Sequence, residues 1–164
     1  MVLLDKVNNL SKSDFISTFG NVFEKTDWIA KKAYETKPFN NIDELFSIMM
    51  KIFENTRKKN HLEIFNAHPD LAIEKKLTDD SKKEQNNASL NACSDQEFKE
   101  FTELNKDYKK KFGFPFIIAV KGKKKEEILN NFRQRITNNI NSEFEEAKKQ
   151  VKKIANFRLN EIIK

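Results

Sequence analysis

Asp43-Glu-Leu-Phe-Ser-Ile-Met-Met-Lys-Ile-Phe53 is the stretch whose pattern decides the fold class. Its apolar residues follow the i, i+3, i+4, i+7 spacing of one helix face, whereas a half-buried strand would alternate apolar and polar residues. They are Leu45, Phe46, Met49, Ile52 and Phe53. The stretch therefore predicts an amphipathic helix that buries one side in a core.

Similar helical patterns lie on both sides of this stretch. Gly and Pro occur only three times each in 164 residues, so most of the chain is free of helix breakers. Further helices are predicted after the Ser11–Asp14 cap, from Thr26-Asp27-Trp28, from Arg57 to Asn66, from Ser81, across Phe98–Phe112, from about Lys124 to Ile140 and from about Ser142 to Ile162. We predict an all-α protein of about eight or nine helices, in a single compact domain over residues 1–164.

One apolar run does not fit a helix. Gly113 is a natural residue to end the helix before it, and Phe114-Pro-Phe-Ile-Ile-Ala-Val120 is too short for a typical helix. We predict that this run is extended and buried, with backbone hydrogen-bonding groups to spare.

The composition restricts the cellular compartment in which the protein can lie and the metals that it can bind. The single Cys93 excludes an internal disulfide, and one Cys with two His makes a Cys/His zinc site improbable, so no metal is predicted. No basic segment precedes an apolar secretory segment, and no run of about 18 apolar residues could cross a membrane. These features predict a cytoplasmic protein without a membrane partner.

The net charge of +6 raises nucleic-acid binding as an alternative function. The 31 basic residues include only four Arg, and they are scattered among 25 acidic residues. A phosphate-reading surface usually shows a focused basic face, often with Arg, so mixed solvated charge is the simpler interpretation. We predict no nucleic-acid partner.

Asn66-Ala-His-Pro-Asp-Leu-Ala72 marks the candidate catalytic position. Proline disfavours helical geometry in the residue before it, so His68 is predicted at a helix end with its ring free to project into a cavity. An isolated His before Pro is more often a packing residue, so this position alone does not establish catalysis. The other histidine, His61, is predicted to be a solvated helix residue because it follows Lys58, Lys59 and Asn60.

Several ordered motifs accompany His68 over nearly the whole chain. They are Phe19-Gly-Asn-Val-Phe-Glu24, Trp28-Ile-Ala30, Pro38-Phe39, Ala67–Ala72, Ser81-x-x-Glu84-Gln85, Asn105-x-x-Tyr108, Phe112–Val120 and Ile154-Ala-x-x-Arg-Leu159. In this order the set resembles the OHCU decarboxylase family, which acts on 2-oxo-4-hydroxy-4-carboxy-5-ureidoimidazoline (OHCU) in urate breakdown. This chain departs from the usual family pattern in having Ala88-Ser89-Leu90 where Ala-Gly-Leu is common.

The resemblance implies an all-helical homodimer without metal or organic cofactor, which converts the small-molecule substrate OHCU to (S)-allantoin with loss of CO₂. It implies that His68 is the catalytic acid or base, with Glu84 and Arg158 also at the site. It further implies substrate-binding positions at Pro69, Ser81, Gln85, Phe116, Ile117, Ile118, Ala119 and Val120.

Some of these residues have alternative roles. Ser81-x-x-Glu84 also fits a helix capping box, in which Glu84 would serve the helix rather than the substrate. Arg158 falls on the apolar stripe of the last helix, where a guanidinium needs a partner, so it could instead pair with an acidic side chain across a dimer. Arg135 is then the rival positive group. The same fold acting on another ureido or imidazoline acid, or without activity, is the other alternative.

Overall fold

A computed structural model describes residues 3–72, 78–88 and 90–164. Within these ranges the chain forms nine α-helices and one short 3-10 helix, with no strand. The α-helices are α1 (Leu3–Asn8), α2 (Lys12–Phe19), α3 (Trp28–Tyr34), α4 (Ile42–Glu54), α5 (Lys58–Ala67), α6 (Asp79–Asn87), α7 (Asp95–Phe112), α8 (Lys125–Arg135) and α9 (Ile140–Ile162), and the 3-10 helix is Leu90–Ala92. The prediction of an all-α fold with eight or nine helices is confirmed.

Two helix boundaries differ from the sequence prediction. The helix expected to reach Ile140 ends at Arg135, and the last helix begins at Ile140 rather than Ser142. Thr137 and Asn138 donate their backbone N–H groups to Gln134 and Arg135, which are three residues earlier, so the chain makes a turn here. The short helix α1 was not predicted.

Internal contacts divide the chain into two units. The first unit contains the residues up to Ala67 together with Lys152–Lys164, and the second unit contains His68–Val151. Among the described residues, no helix is both long enough and apolar enough to cross a membrane.

The core of the first unit is rich in phenylalanine. In α4, Asn41 accepts a hydrogen bond from the Glu44 backbone, which fixes the helix start, and Leu45, Met49 and Phe53 are buried. Phe53 stacks on Phe23 with ring centroids 5.1 Å apart. The amphipathic pattern of this stretch therefore forms the predicted helix and buries the predicted face.

The prediction of a solvated His61 is wrong. His61 is only 3% exposed, and its Nε2 lies 2.6 Å from the Phe53 carbonyl oxygen near the end of α4. Since a carbonyl only accepts, His61 donates this hydrogen bond and satisfies a group that the end of α4 leaves without a helical partner. Its ring also lies edge-on to the Phe53 ring, at 4.9 Å.

Helix α7 organises the second unit. Ser94 and Glu97 form a capping box at its start, and Gly113 ends it with φ of +80°, in the left-handed region that glycine adopts at low cost. Phe101 and Tyr108 are buried, whereas Phe98, near the start of the same helix, is 42% exposed. The following run Phe114–Val120 is irregular and buried throughout, which agrees with its prediction as a buried non-helical segment.

Candidate functional site

His68 follows α5 directly, at the junction predicted from the proline after it. Helix α5 ends at Ala67, and both His68 and Pro69 are partly exposed. The imidazole therefore stands on non-helical backbone at the start of the second unit. We refer to His68–Ala72 as the His68 loop.

Gln85 from α6 holds this loop through both ends of its side-chain amide. Its Oε1 accepts a hydrogen bond from the Ala72 N–H at 3.1 Å, and its Nε2 donates to the Asp70 carbonyl at 3.2 Å. Gln85 is 6% exposed, so these bonds are shielded from water. Each end of the amide keeps a second hydrogen-bonding position, so Gln85 can still contact a ligand.

Helix α7 holds the same loop from two further positions. Asn105 Nδ2 donates to the Leu71 carbonyl at 3.0 Å, and Lys109 Nζ lies 2.7 Å from Asp70 Oδ2. Ala72 adopts φ of +55°, a left-handed conformation that costs a non-glycine residue about 1–2 kcal/mol. The surrounding contacts therefore hold the loop in one specific conformation.

Helix α6 begins earlier than the sequence suggested. Its N-cap is Thr78, whose side chain accepts from the Ser81 backbone N–H at 3.2 Å. Ser81 is therefore inside the helix, and the alternative that Ser81 and Glu84 form its capping box is wrong.

Ser81 and Gln85 are the buried residues of α6, and Glu84, one residue before Gln85, is half-buried. Spacings of three and four residues place these side chains on neighbouring parts of one face. Ser89, where the family commonly has Gly, lies outside the described residues.

The second group of predicted residues lies in the buried segment Phe116–Val120. Arg135 Nη1 donates to the Ile117 carbonyl at 2.7 Å, and the Ala119 N–H donates to Gln150 Oε1 at 2.9 Å. The Phe116 ring stacks on Phe132 with centroids 3.9 Å apart. Side chains from α8 and α9 thus fix the backbone of this segment.

These bonds determine which backbone groups of the segment can bind a ligand. The Ile117 carbonyl and the Ala119 N–H already have protein partners, so they are not the best candidates for contacts to substrate amides. Among the described residues, neither the N–H nor the carbonyl of Ile118 has a hydrogen-bond partner, although Ile118 is only 6% exposed. Buried backbone groups need a partner, which water or a ligand can supply.

A buried polar network lies behind the segment. Glu143 Oε1 accepts from the Tyr108 hydroxyl at 2.6 Å and from Arg135 Nε at 2.9 Å, and Glu143 Oε2 accepts from Asn138. Burial and the bond to Glu143 raise the pKa of Tyr108 far above its ordinary value, so its hydroxyl stays protonated. Arg135, the rival positive group, is therefore paired with Glu143 and supports the Ile117 backbone. Its Nη2 has no hydrogen-bond partner among the described residues.

Arg158 belongs to the first unit. Its Nη2 lies 2.7 Å from Glu24 Oε2, its Nη1 donates to the Asn21 carbonyl at 2.8 Å, and both charged side chains are almost fully buried. The expectation that a guanidinium on this stripe needs a partner is confirmed. The carboxylate that it contacts lies within the same chain.

Four of the residues that hold the loop and the segment received no role from the sequence, in contrast to Gln85 and Arg135; they are Asn105, Lys109, Glu143 and Gln150. Asn105 and Lys109 bind the loop from 34 and 39 residues away along the chain, and Gln150 binds Ala119 from 31 residues away. Glu143 acts through Arg135. One signal was present for Asn105. It lies four residues after Phe101, on the apolar stripe of α7, where a polar side chain requires a partner. Among the described residues, no cluster of three or more His, Cys, Asp or Glu side chains is arranged to hold a metal.

Comparison with known proteins identifies the family. The family model for OHCU decarboxylase matches residues 8–160, which is most of the chain. The chain belongs to the OHCU decarboxylase family.

Individual relatives extend this result. The chain is 40% identical over 164 residues to a uric acid degradation bifunctional protein of Bacillus sp. (strain TB-90) and spans 33% of that protein's length. It is 35% identical over 158 residues to a 2-oxo-4-hydroxy-4-carboxy-5-ureidoimidazoline decarboxylase of Haloferax volcanii, covering 96% of this chain and 94% of the relative. A crystal structure of (S)-allantoin synthase matches all of this chain and 54% of its own chain, with a TM-score of 0.81 and 27% identity.

Proposed function

We propose that this chain decarboxylates OHCU to (S)-allantoin, with residues 1–164 acting as one domain of the family. The observation that carries the proposal is the imidazole of His68, which stands on a loop fixed by Gln85 and Asn105 in a chain of this family. The Haloferax volcanii relative, which this chain covers almost completely, bears the name of the same decarboxylase.

Decarboxylation of OHCU needs no cofactor to accept electrons. OHCU carries its carboxylate on a ring carbon next to a C=N bond. When the bond to CO₂ breaks, its electron pair enters this C=N system, so the substrate is its own electron sink. Protonation of the ring nitrogen and then of the adjacent carbon, with loss of the hydroxyl proton, gives the carbonyl of allantoin. The protein must hold the carboxylate out of the ring plane and deliver the carbon-bound proton to one face.

His68 supplies this acid and base chemistry. An imidazole has an ordinary pKa of about 6.5, so it can both give and take a proton near neutral pH. Glu84 acts beside it, either by orienting the imidazole or by holding the ring N–H and hydroxyl of the substrate. Pro69 contributes to the wall beside His68.

The polar edge of the substrate is bound by backbone and amide groups. The ureido group and ring amides offer both donors and acceptors, which match the N–H and carbonyl of Ile118. Gln85 contributes the hydrogen-bonding positions that the His68 loop leaves unused, and Ser81 lies on the same face of α6. Such preoriented dipoles in a buried site stabilise charge that develops during the reaction.

Three further properties belong to the same proposal. The enzyme is a homodimer, as the resemblance implies, and it needs neither metal nor organic cofactor, because the substrate accepts the electron pair. Its location is the cytoplasm, where a single unpaired cysteine stays reduced. The role of Arg158 in neutralising the anionic substrate stays a prediction.

The test generates OHCU in situ from urate with urate oxidase and hydroxyisourate hydrolase. Its decay is followed by absorbance, and the configuration of the allantoin by circular dichroism. Wild-type protein should accelerate the decay and give (S)-allantoin, whereas His68→Asn should leave the slow, racemic background. Glu63→Gln, an exposed change on α5, is the control and should behave like wild type.

The outcomes separate the alternatives. Both variants are first checked for native circular dichroism and melting temperature, so that a loss of activity reflects chemistry. If the wild-type protein leaves only the racemic background, the decarboxylase assignment is wrong and the fold serves another ureido or imidazoline acid. If His68→Asn retains full activity, the acid or base is a different residue.

A further inference from the structure

Asn105 is a polar residue at a position where α7 otherwise buries apolar side chains. It is 4% exposed and lies between the buried Phe101 and Tyr108. Its Nδ2 donates to the Leu71 carbonyl at 3.0 Å. Its Oδ1 is buried and has no hydrogen-bond partner among the described residues.

The half-satisfied amide indicates what Asn105 contributes. A buried amide oxygen without a partner is unfavourable, and an apolar side chain of similar size would avoid that penalty. The hydrogen bond to the Leu71 carbonyl is therefore the favourable interaction that asparagine makes at this position and that a leucine of similar shape could not make. Leu71 lies three residues after His68, inside the His68 loop.

The loop depends on side chains for its hydrogen bonds. Among the described residues, no backbone-to-backbone hydrogen bond involves Asp70, Leu71 or Ala72. The carbonyls of Asp70 and Leu71 and the N–H of Ala72 are instead bound by the amides of Gln85 and Asn105. Because these amides come from two different helices, together they fix the position and the orientation of the loop.

We propose that Asn105 is a positioning residue for His68, acting through the Leu71 carbonyl and touching no substrate. This inference rests on the proposed function, in which His68 delivers a proton to one face of the substrate. Proton transfer requires near-ideal geometry, and a displacement of about 1 Å can cost about a hundredfold in rate. A shift of the loop therefore slows the proton transfer more than it weakens substrate binding.

Two substitutions test the inference. Asn105→Leu removes the donor and the unsatisfied oxygen, and it leaves the Leu71 carbonyl without its partner, so native circular dichroism and melting temperature are checked before its kinetics are compared. Asn105→Asp keeps the shape but places a carboxylate against the Leu71 carbonyl, and the donor returns only when the carboxyl group is protonated. For both variants we expect kcat at pH 7.5 to fall by about tenfold to a hundredfold, KM to change by less than about threefold, and the share of (S)-allantoin to fall. Asn105→Asp should regain activity relative to wild type as the pH is lowered.

A control separates positioning from general destabilisation. Ile128→Val removes one methyl group from the buried face of α8 in the same unit and leaves every hydrogen bond of the loop in place. It should lower the melting temperature slightly while kcat and the stereochemistry stay at wild-type values. Wild-type kcat and stereochemistry in a folded Asn105→Leu protein would overturn the inference.

Nuclear magnetic resonance provides a readout that needs no activity. In Asn105→Leu, the Ala72 amide should exchange with solvent at least tenfold faster than in wild type, and the His68 ring resonances should shift. The control variant should leave both unchanged. If the wild-type protein does not decarboxylate OHCU, the proposed function fails, while these measurements still decide whether Asn105 holds the loop. Unchanged exchange and unchanged ring resonances would refute that role.

Discussion

The ion pair between Arg158 and Glu24 is a strong single-residue constraint in the first unit. Both side chains are at most 4% exposed, and their nearest charged atoms are 2.7 Å apart. We expect Arg158→Met to lower the free energy of unfolding by about 3–5 kcal/mol, because it leaves the Glu24 carboxylate buried without the guanidinium. Urea unfolding followed by circular dichroism measures this loss.

A second arginine of the chain serves as the matched control. Arg133 contacts Glu100 through two hydrogen bonds of 2.6 Å, but this pair is exposed on α7 and α8. Arg133→Met should therefore cost at most about 1 kcal/mol. The double variant Glu24→Met with Arg158→Met should lose less than the sum of the two single variants, since neither charge is then left alone. Equal losses for Arg158→Met and Arg133→Met would contradict the importance of burial.

His61 shows why single residues were misjudged from the sequence. Its charged neighbours Lys58 and Lys59 suggested an exposed position, but residues adjacent in sequence point to different sides of a helix. The buried residues of α5 are His61, Ile64 and Phe65, which is the i, i+3, i+4 pattern of one face. The spacing of three and four residues thus predicts a buried His61, whereas the charged neighbours suggested an exposed one.

At the scale of elements, the start of α7 carries a pH-dependent contribution. The Glu97 side chain accepts from the Ser94 backbone N–H at 2.9 Å and from Lys125 at 3.1 Å. The bond from the Ser94 backbone, followed by the bond from Lys125, lowers the pKa of Glu97. The folded state therefore favours the ionised carboxylate.

The sign of the pH effect follows from this lowered pKa. Above the ordinary pKa of a glutamate, about 4.3, the stabilisation from Glu97 is fully present. It is lost as the pH falls through the lower folded-state pKa. We expect Glu97→Gln to be less stable than wild type at pH 7, with a difference that shrinks toward pH 3. Urea midpoints at pH 7, 5, 4 and 3 measure it.

Glu103→Gln on the exposed side of α7 is the control for this titration. Among the described residues, Glu103 has neither an ion pair nor a side-chain hydrogen bond, so its substitution should leave the urea midpoint nearly unchanged at each pH. A Glu97→Gln difference that grows in acid would mean that the carboxylate opposes the fold, contrary to its hydrogen bonds.

Elements were predictable where a local pattern determines them. Helices α4 and α7 follow from apolar spacing together with nearby caps, and Gly113 ends α7 as expected. The start of α6 was less certain because Thr78 and Ser81 are both good N-cap residues, three positions apart. The sequence alone does not show which of the two residues begins the helix, because the helix has almost no apolar face to mark its first turn.

At the scale of the whole molecule, pairs that are distant in sequence were not predictable. Glu24 and Arg158 are 134 residues apart, and Leu71 and Asn105 are 34 residues apart. The sequence indicates that Arg158 and Asn105 need partners, because both lie on buried stripes. It does not identify those partners, since that depends on how the helices pack. The family resemblance supplied candidate ligand contacts, Gln85 among them, whereas the hydrogen bonds that hold the loop became visible only in the structure.

The net charge of +6 leads to a whole-molecule prediction about OHCU, the anionic substrate of the proposed reaction. A positive protein attracts an anion over long distances, and salt screens this attraction with a Debye length of about 10 Å at 0.1 M. Because the basic residues are spread among 25 acidic ones, we expect a modest effect. Between 10 and 300 mM NaCl, KM for OHCU should rise by less than about tenfold while kcat stays constant. Initial rates, corrected for spontaneous decay at each salt concentration, measure both constants.

Nucleic-acid binding measured over the same range of salt concentrations tests the alternative function. A protein that neutralises several phosphates loses affinity steeply, with a log–log slope of about −0.9 per phosphate contact on duplex DNA. Fluorescence anisotropy with labelled duplex DNA and single-stranded RNA should detect no tight complex at 150 mM NaCl, because the lysines are scattered along the sequence among acidic residues with only four arginines. Micromolar or tighter binding with a slope of −4 or steeper would instead assign the positive charge to nucleic acid. If KM for OHCU also stays constant over the salt series, the positive charge does not contribute to binding of the substrate.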